Sequence, residues 1–131
     1  MVELSLVAVV FIVLLLGIAD LGQFLFLQQA LFERARTAAR WGAANDPTNA
    51  TAIQNVALYN QSTVPSGSTP LLGLTADNVS VSTSGAGTNN YCLTVQISGH
   101  KYTLVSPYLA ASYSGTPITV SVPLGAYYTA H

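Results

Sequence analysis

From Leu4 to Ala19 the chain reads LSLVAVVFIVLLLGIA, with no charge and only Ser5 and Gly17 as soft interruptions. Leu21 to Leu27 extend this apolar run past about 20 residues, enough for a helix to cross a bilayer. Asp20 and Gln23 break it. A cleaved signal peptide has a basic start, a shorter apolar core and a small-residue cleavage site. This segment opens Met1-Val2-Glu3 and continues into further helix-forming sequence, so it reads as a retained membrane or assembly helix.

Beyond Leu21 the pattern becomes amphipathic. Leu21, Phe24, Leu25, Gln28, Leu31, Phe32, Ala35, Ala38 and Ala39 recur at spacings of three and four, with Glu33, Arg34, Arg36 and Arg40 between them. No proline precedes Pro47, and Asn45-Asp46-Pro47 is a stop signal. The spacing predicts one helix from about Val2 to Ala44, about 65 Å long at 1.5 Å per residue, and with it an N-terminal unit over 1–44.

The rest, 45–131, is polar but hardly charged: Asp46, Asp77 and Lys101 are its only formal charges. Charged residues make up 7% of the whole chain, against about 25% in an ordinary soluble domain. Its surface must therefore be solvated by hydroxyl and amide groups. A net charge of −1 gives no electrostatic footprint for nucleic acid. A short helix is expected over 52–59, capped by Thr48 or Asn49, followed by a polar loop from Ser62 to Pro70. Strands are expected at Asn78–Ser82, Tyr91–Ile97, Lys101–Val105 and Ile118–Val122. Ser98-Gly99-His100 reads as a hairpin joining the second to the third. The fold class is α+β, a long N-terminal hydrophobic helix bearing a small antiparallel sheet. The sheet is expected to pack on the exposed half of the helix around Phe32, Arg36 and Ala39, with Trp41 at the junction.

Two histidines, five acids and one cysteine are scattered without triad or metal-ligand spacing, so the reading is non-enzymatic, with no cofactor and no metal. His100, beside a turn, reads as exposed or as a satisfied polar neighbour. Cys92 allows no intramolecular disulfide and reads as a small buried hydrophobe, with an intermolecular bridge or reactive thiol as the rival. Asn49, Asn60 and Asn78 head Asn-x-Ser/Thr sequons and are candidate glycosylation sites, and the Ser/Thr-rich loops could equally carry O-glycans. The seven tyrosines read as β-formers and subunit contacts rather than a conduction path.

Assembly residues come from the helix. Glu3 has two readings: a first-turn carboxylate that complements the helix dipole and its own terminal amine, or the partner of a neighbouring subunit's α-amino group, since an unpaired carboxylate in an apolar core costs several kcal/mol. Asp20 either marks the membrane surface or, in a bundle, pairs with Arg34, Arg36 or Arg40 of another chain. Gly17 and Gly22, with Phe24 and Phe32, are helix-packing positions. The arginines follow the apolar run, so the positive-inside rule alone would leave the polar part in the cytoplasm. Export is expected if a basic leader once preceded Met1.

These residues carry a family resemblance. The run GIADLGQFLFLQQALFERARTAARWGA resembles the helix of TadE-like pilins, of the tight-adherence class of type IV pili. The matching features are Val2-Glu3-Leu4, Asp20-Leu21-Gly22, Gln29-Ala30-Leu31, and Ala35-Arg36 with Ala39-Arg40. The glutamate stands third here, whereas type IV pilins generally carry it fifth after an N-methylated residue. The resemblance implies cleavage by a prepilin peptidase, residence in the inner membrane and extrusion by an ATPase-driven machine. The expected product is an extracellular filament of copies of this chain, for attachment, aggregation or motility. The alternative is a membrane-anchored minor pilin or single-pass binding module that primes or tips a filament of another protein.

Overall fold

In the computed structural model, which describes residues 1–103 and 112–125, one uninterrupted helix, α1 (Val2–Ala44), carries the rest of the fold. It stops where the sequence stops it. The Asn45 backbone N–H and its side-chain amide both reach back to the Trp41 carbonyl, at 2.9 and 3.0 Å, and Pro47 has no N–H with which to continue. The Asp46 carboxylate then accepts from the Thr48 hydroxyl at 2.6 Å and the Thr48 N–H at 2.9 Å. These bonds favour its charged form and lower its pKa. The turn delivers Asn49 as the N-cap of α2 (Ala50–Tyr59), its side chain accepting from the Ala52 N–H at 3.1 Å. Asn60 ends α2 in the left-handed region at φ 61°, a conformation asparagine tolerates well.

Among the described residues five strands follow: β1 (Val79–Ser84), β2 (Cys92–Ile97), β3 (Lys101–Thr103), β4 (Ser112–Ser114) and β5 (Ile118–Pro123). They form a three-stranded antiparallel sheet in the order β1-β2-β5 and a separate antiparallel pair, β3-β4. Alternation sorts the larger sheet into two faces. Val79, Leu93, Val95, Ile97 and Ile118 point into the core, while Ser80, Ser82, Ser84, Thr119 and Ser121 are exposed on the other side. On that outer face Val95's neighbour Thr94 meets Ser121 across the strands, hydroxyl to hydroxyl, at 2.9 Å. Pro123 ends β5 at a sheet edge, where a missing N–H costs no ladder bond.

The core lies between the sheet, α2 and one stripe of α1. That stripe is Leu31, Ala35, Ala38, Ala39 and Gly42, all buried, and its small side chains let the other layers approach the helix closely. From α2 come Ile53, Val56, Ala57 and Leu58. Trp41 packs against this cluster, as expected of a junction residue.

Three expectations are corrected here. Phe32 and Arg36 are not part of the buried contact with the sheet: both are exposed, Phe32 at the flank of the buried stripe beside Ile118 of β5, and only Ala39 of the expected trio is buried. The alanines win the inner stripe because the contact leaves no room for a ring or a guanidinium. The β2–β3 hairpin does not form either. Both edges of β2 are already filled, by β1 and β5, and Gly99 at φ +71° turns the chain away after Ser98 N–H bonds the Asn78 carbonyl at 2.8 Å. Strand β3 instead pairs with β4, Tyr102 opposite Tyr113, a strand the sequence reading did not include. Finally, Cys92 is half-buried rather than buried. It sits on the outer face of β2 with its sulfur 3.1 Å from the Ser84 hydroxyl. Of the expected strand Lys101–Val105, the last two residues lie outside the described residues, as does His131.

Candidate assembly surface

The two halves of α1 live in different surroundings. Its most apolar 18-residue window has a mean hydropathy of 2.8, and none of that window is buried. Leu4, Val7, Phe11, Leu14 and Ile18 are each more than half exposed. The helix is therefore long and apolar enough to cross a membrane, and among the described residues nothing covers that window. Intramolecular burial begins at Leu16 and recurs at Asp20, Phe24, Leu27, Gln28 and Leu31, the three-and-four spacing of a single helix face. Asp20 is the notable member of this stripe, a carboxylate only 6% exposed between residues that are open to solvent.

Glu3 is exposed in the first turn, where its charge complements the dipole. Arg34 is half-buried, and its Nη1 is buried without a hydrogen-bond partner. Arg36 and Arg40 are exposed, and Arg36 lies over the Phe32 ring, 5.6 Å from its centroid, within cation–π range. Along the helix axis Glu3 and Arg34 stand about 46 Å apart, and Asp20 and Arg34 about 21 Å. One chain cannot bring these charges together. Gly17 and Gly22 are exposed, and a Cβ built at either would meet nothing within 4 Å. They leave smooth places on the helix that no other part of the described chain fills.

Two hollows flank Phe32. The larger, about 410 Å³, lies on the back of α1 between Phe26, Gln29, Ala30, Phe32 and Glu33. The smaller, about 230 Å³, lies in the crease between α1 and β5, lined by Leu25, Gln28, Gln29, Phe32 and Ile118. Sequence reasoning singled out Phe32 here but missed Phe26, Gln29 and Ile118. Phe26 and Gln29 lie three apart on the face opposite the buried stripe, a signal within reach of the helical periodicity. Ile118 depends on strand placement, which the periodicity does not contain.

The remaining candidates are spread through the polar part. Asn60 is exposed, Asn49 is committed to capping α2, and Asn78 accepts from the Thr75 N–H at 2.8 Å and its hydroxyl at 3.0 Å. His100 is 1% exposed, which rules out the exposed one of its two expected readings and leaves that of a polar neighbour within the fold, and burial lowers its pKa. It is carried inward by the chain reversal at Gly99. Among the described residues no three His, Cys, Asp or Glu side chains gather as metal ligands.

Residues 1–40 match the model of the TadE-like protein family. The match ends within the C-terminal part of α1, before α2 and the sheet. No curated protein and no solved structure matches the chain.

Proposed function

Taking the TadE-like N-terminal segment as the premise, we propose that this chain is the structural subunit of an extracellular, type IV pilus-like filament that polymerises through α1. The observation that carries this reading is a continuous helix whose N-terminal half is apolar and uncovered while its C-terminal half is the spine of a folded domain. Each large apolar side chain left in water forgoes roughly 1.5–3 kcal/mol, so the segment from Val2 to Ile18 needs either lipid or other copies around it. A bilayer supplies the first environment before assembly. A bundle of α1 helices supplies the second.

The polar part suits the outside of such a bundle. The serines and threonines on the outer face of β1, β2 and β5 are solvated without charge, so neighbouring subunits do not repel one another electrostatically. Leaving the membrane for a bundle gains little hydrophobic free energy, because lipid tails are as apolar as leucine. Assembly therefore calls for an external energy source, in keeping with the ATPase-driven machinery, after prepilin peptidase processing, that the pilin resemblance implies. The domain division that follows is a filament-core helix over 1–44 and an extracytoplasmic coat over 45–131. The subunit's role is mechanical, with no catalytic step.

Electron microscopy of filaments sheared from producing cells tests this reading. Side-chain density that reads this sequence along the filament supports it. Filaments built from another protein, with this chain left in the membrane fraction, would make it a minor pilin or single-pass module that primes or tips them.

A further inference from the structure

We infer that the paired hollows around Phe32 are the socket for the apolar N-terminal helix of a second copy, seated parallel and displaced by about 18 residues, or roughly 27 Å at 1.5 Å per residue. The inference rests on the filament reading and gives it a specific contact. The socket comprises the back of α1 at Phe26, Gln29 and Ala30 and the crease at Leu25, Gln28 and Ile118, with Phe32 lining both parts. Phe26 is 71% exposed and Phe32 43% exposed, so the two rings are open to a partner. Among the described residues, Glu33 is the only charged one lining either hollow.

The occupant is a second copy because the chain carries a matching plug that it cannot use on itself. From Leu4 to Ala19 α1 is apolar all round, so any of its faces can lie against the socket. Plug and socket stand on one unbroken helix, which cannot fold back to join them. A contact between two different patches of identical chains is heterologous, and unless its rotation closes a ring it repeats without end. A filament is the expected product.

Matching the middle of the plug, Phe11, to the middle of the socket, Gln29, sets the displacement. In that register Leu25 to Glu33 face the neighbour's Val7 to Leu15, a wholly apolar stretch. The neighbour's Glu3 then comes level with Leu21, beside Gly22 and Gln23, where the missing glycine Cβ leaves space.

Disulfide trapping in filaments assembled by the producing cell tests the register. In a Cys92→Ser background, Phe11→Cys is combined with Gln29→Cys. Both positions are exposed, so the substitutions leave the folded part intact. Each subunit then offers one plug thiol and one socket thiol, and mild oxidation is expected to give a ladder of covalent multimers. Leu4→Cys or Ile18→Cys with Gln29→Cys, each about 10 Å out of register, should ladder at least fivefold less. Filaments of normal appearance in which the Phe11/Gln29 pair traps no better than these controls would overturn the socket while leaving the filament reading intact. Reaction of the Gln29→Cys thiol in filaments with a lipid-dissolved maleimide, without a ladder, would also overturn it and assign the hollows to acyl chains. If the wild-type chain forms no filament, both readings fall.

Discussion

Gly42 lies so close to Ile53 that a Cβ on it would stand 2.7 Å from Ile53 Cδ1, and equally 2.7 Å from Leu93 Cδ2. This is the point at which α1, α2 and the central strand β2 meet, and only a hydrogen fits there. Gly42→Ala sets two effects against each other. Alanine is about 1 kcal/mol better than glycine inside a helix, but overpacking a filled core costs about 1–3 kcal/mol. The clash falls on two side-chain ends that can shift partly, so a net loss of about 1 kcal/mol is expected for alanine and a larger one for Gly42→Leu. Chemical denaturation of the two variants checks the order. Ile53→Val, which shortens one of the two opposing side chains, should reduce the cost of Gly42→Ala; an additive double variant would show that the clash is not the cause.

Burial holds the His100 pKa below its ordinary 6.5, so the folded state favours the neutral ring. In the unfolded chain the ring protonates as pH falls through about 6.5, and the unfolded state then binds more protons than the folded one. Stability from this group is therefore fully present above pH 6.5 and is lost as pH falls toward the folded-state value. Thermal melts between pH 7.5 and 5.5 should show a declining midpoint, and His100→Gln should flatten the decline. Asp46 does not overlap with this window: its pKa is lowered from 3.8, so its contribution is lost only in stronger acid. An unchanged slope in His100→Gln would assign the decline to another group.

The three sequons differ in what their amides are doing. Asn78 has its carbonyl oxygen held by Thr75, and its Nδ2 packs so closely on Gly99 that a Cβ there would be 2.6 Å away. A sugar on that nitrogen would have to displace the turn. Asn49 is accessible but caps α2. Asn60 is exposed and terminates α2 with a left-handed backbone. In a host that N-glycosylates exported proteins, peptide mass spectrometry should find Asn60 the most occupied and Asn78 unmodified. Occupancy at Asn78 equal to that at Asn60 would count against this ranking.

What the sequence made legible is the part governed by local physics. The apolar run, the three-and-four spacing and Asn45-Asp46-Pro47 placed α1 and its end. The alternation through Cys92–Ile97 placed β2, whose odd-numbered residues Leu93, Val95 and Ile97 are the buried ones. The sheet order was not legible, because nothing local to Lys101–Thr103 reveals that both edges of β2 are already taken by more distant strands. The inner face of α1 was misread for a related reason. Phe32 and the buried stripe share the same periodicity, and hydrophobicity alone favours the ring. Only the close approach of α2 and the sheet selects Ala35, Ala38 and Gly42 instead. The same misplacement hid the socket: a phenylalanine assigned to the core leaves no reason to look for a hollow outside it.

The filament reading makes opposite demands on salt and on charge reversal. If the bundle is held by apolar burial, screening its few charges should matter little, since the Debye length of about 3 Å at 1 M salt removes only exposed electrostatics. Filaments are therefore expected to survive 1 M NaCl and to come apart in detergent, which replaces the apolar surroundings of Val2 to Ile18. Glu3→Lys tests the other side. Glu3 is exposed in the monomer, so its reversal leaves the folded part unperturbed. In a bundle the new lysine meets apolar neighbours and the positive end of its own helix, and loses any pairing with a neighbour's terminal amine. Assembly should fall at least tenfold while the melting midpoint of the detergent-solubilised monomer stays within about 3 °C, a change that exposed sites rarely exceed. Wild-type filament yield from Glu3→Lys would show that this carboxylate has no partner in the bundle. Dissociation by salt alone would mean that ion pairs, not the apolar helix, hold the copies together.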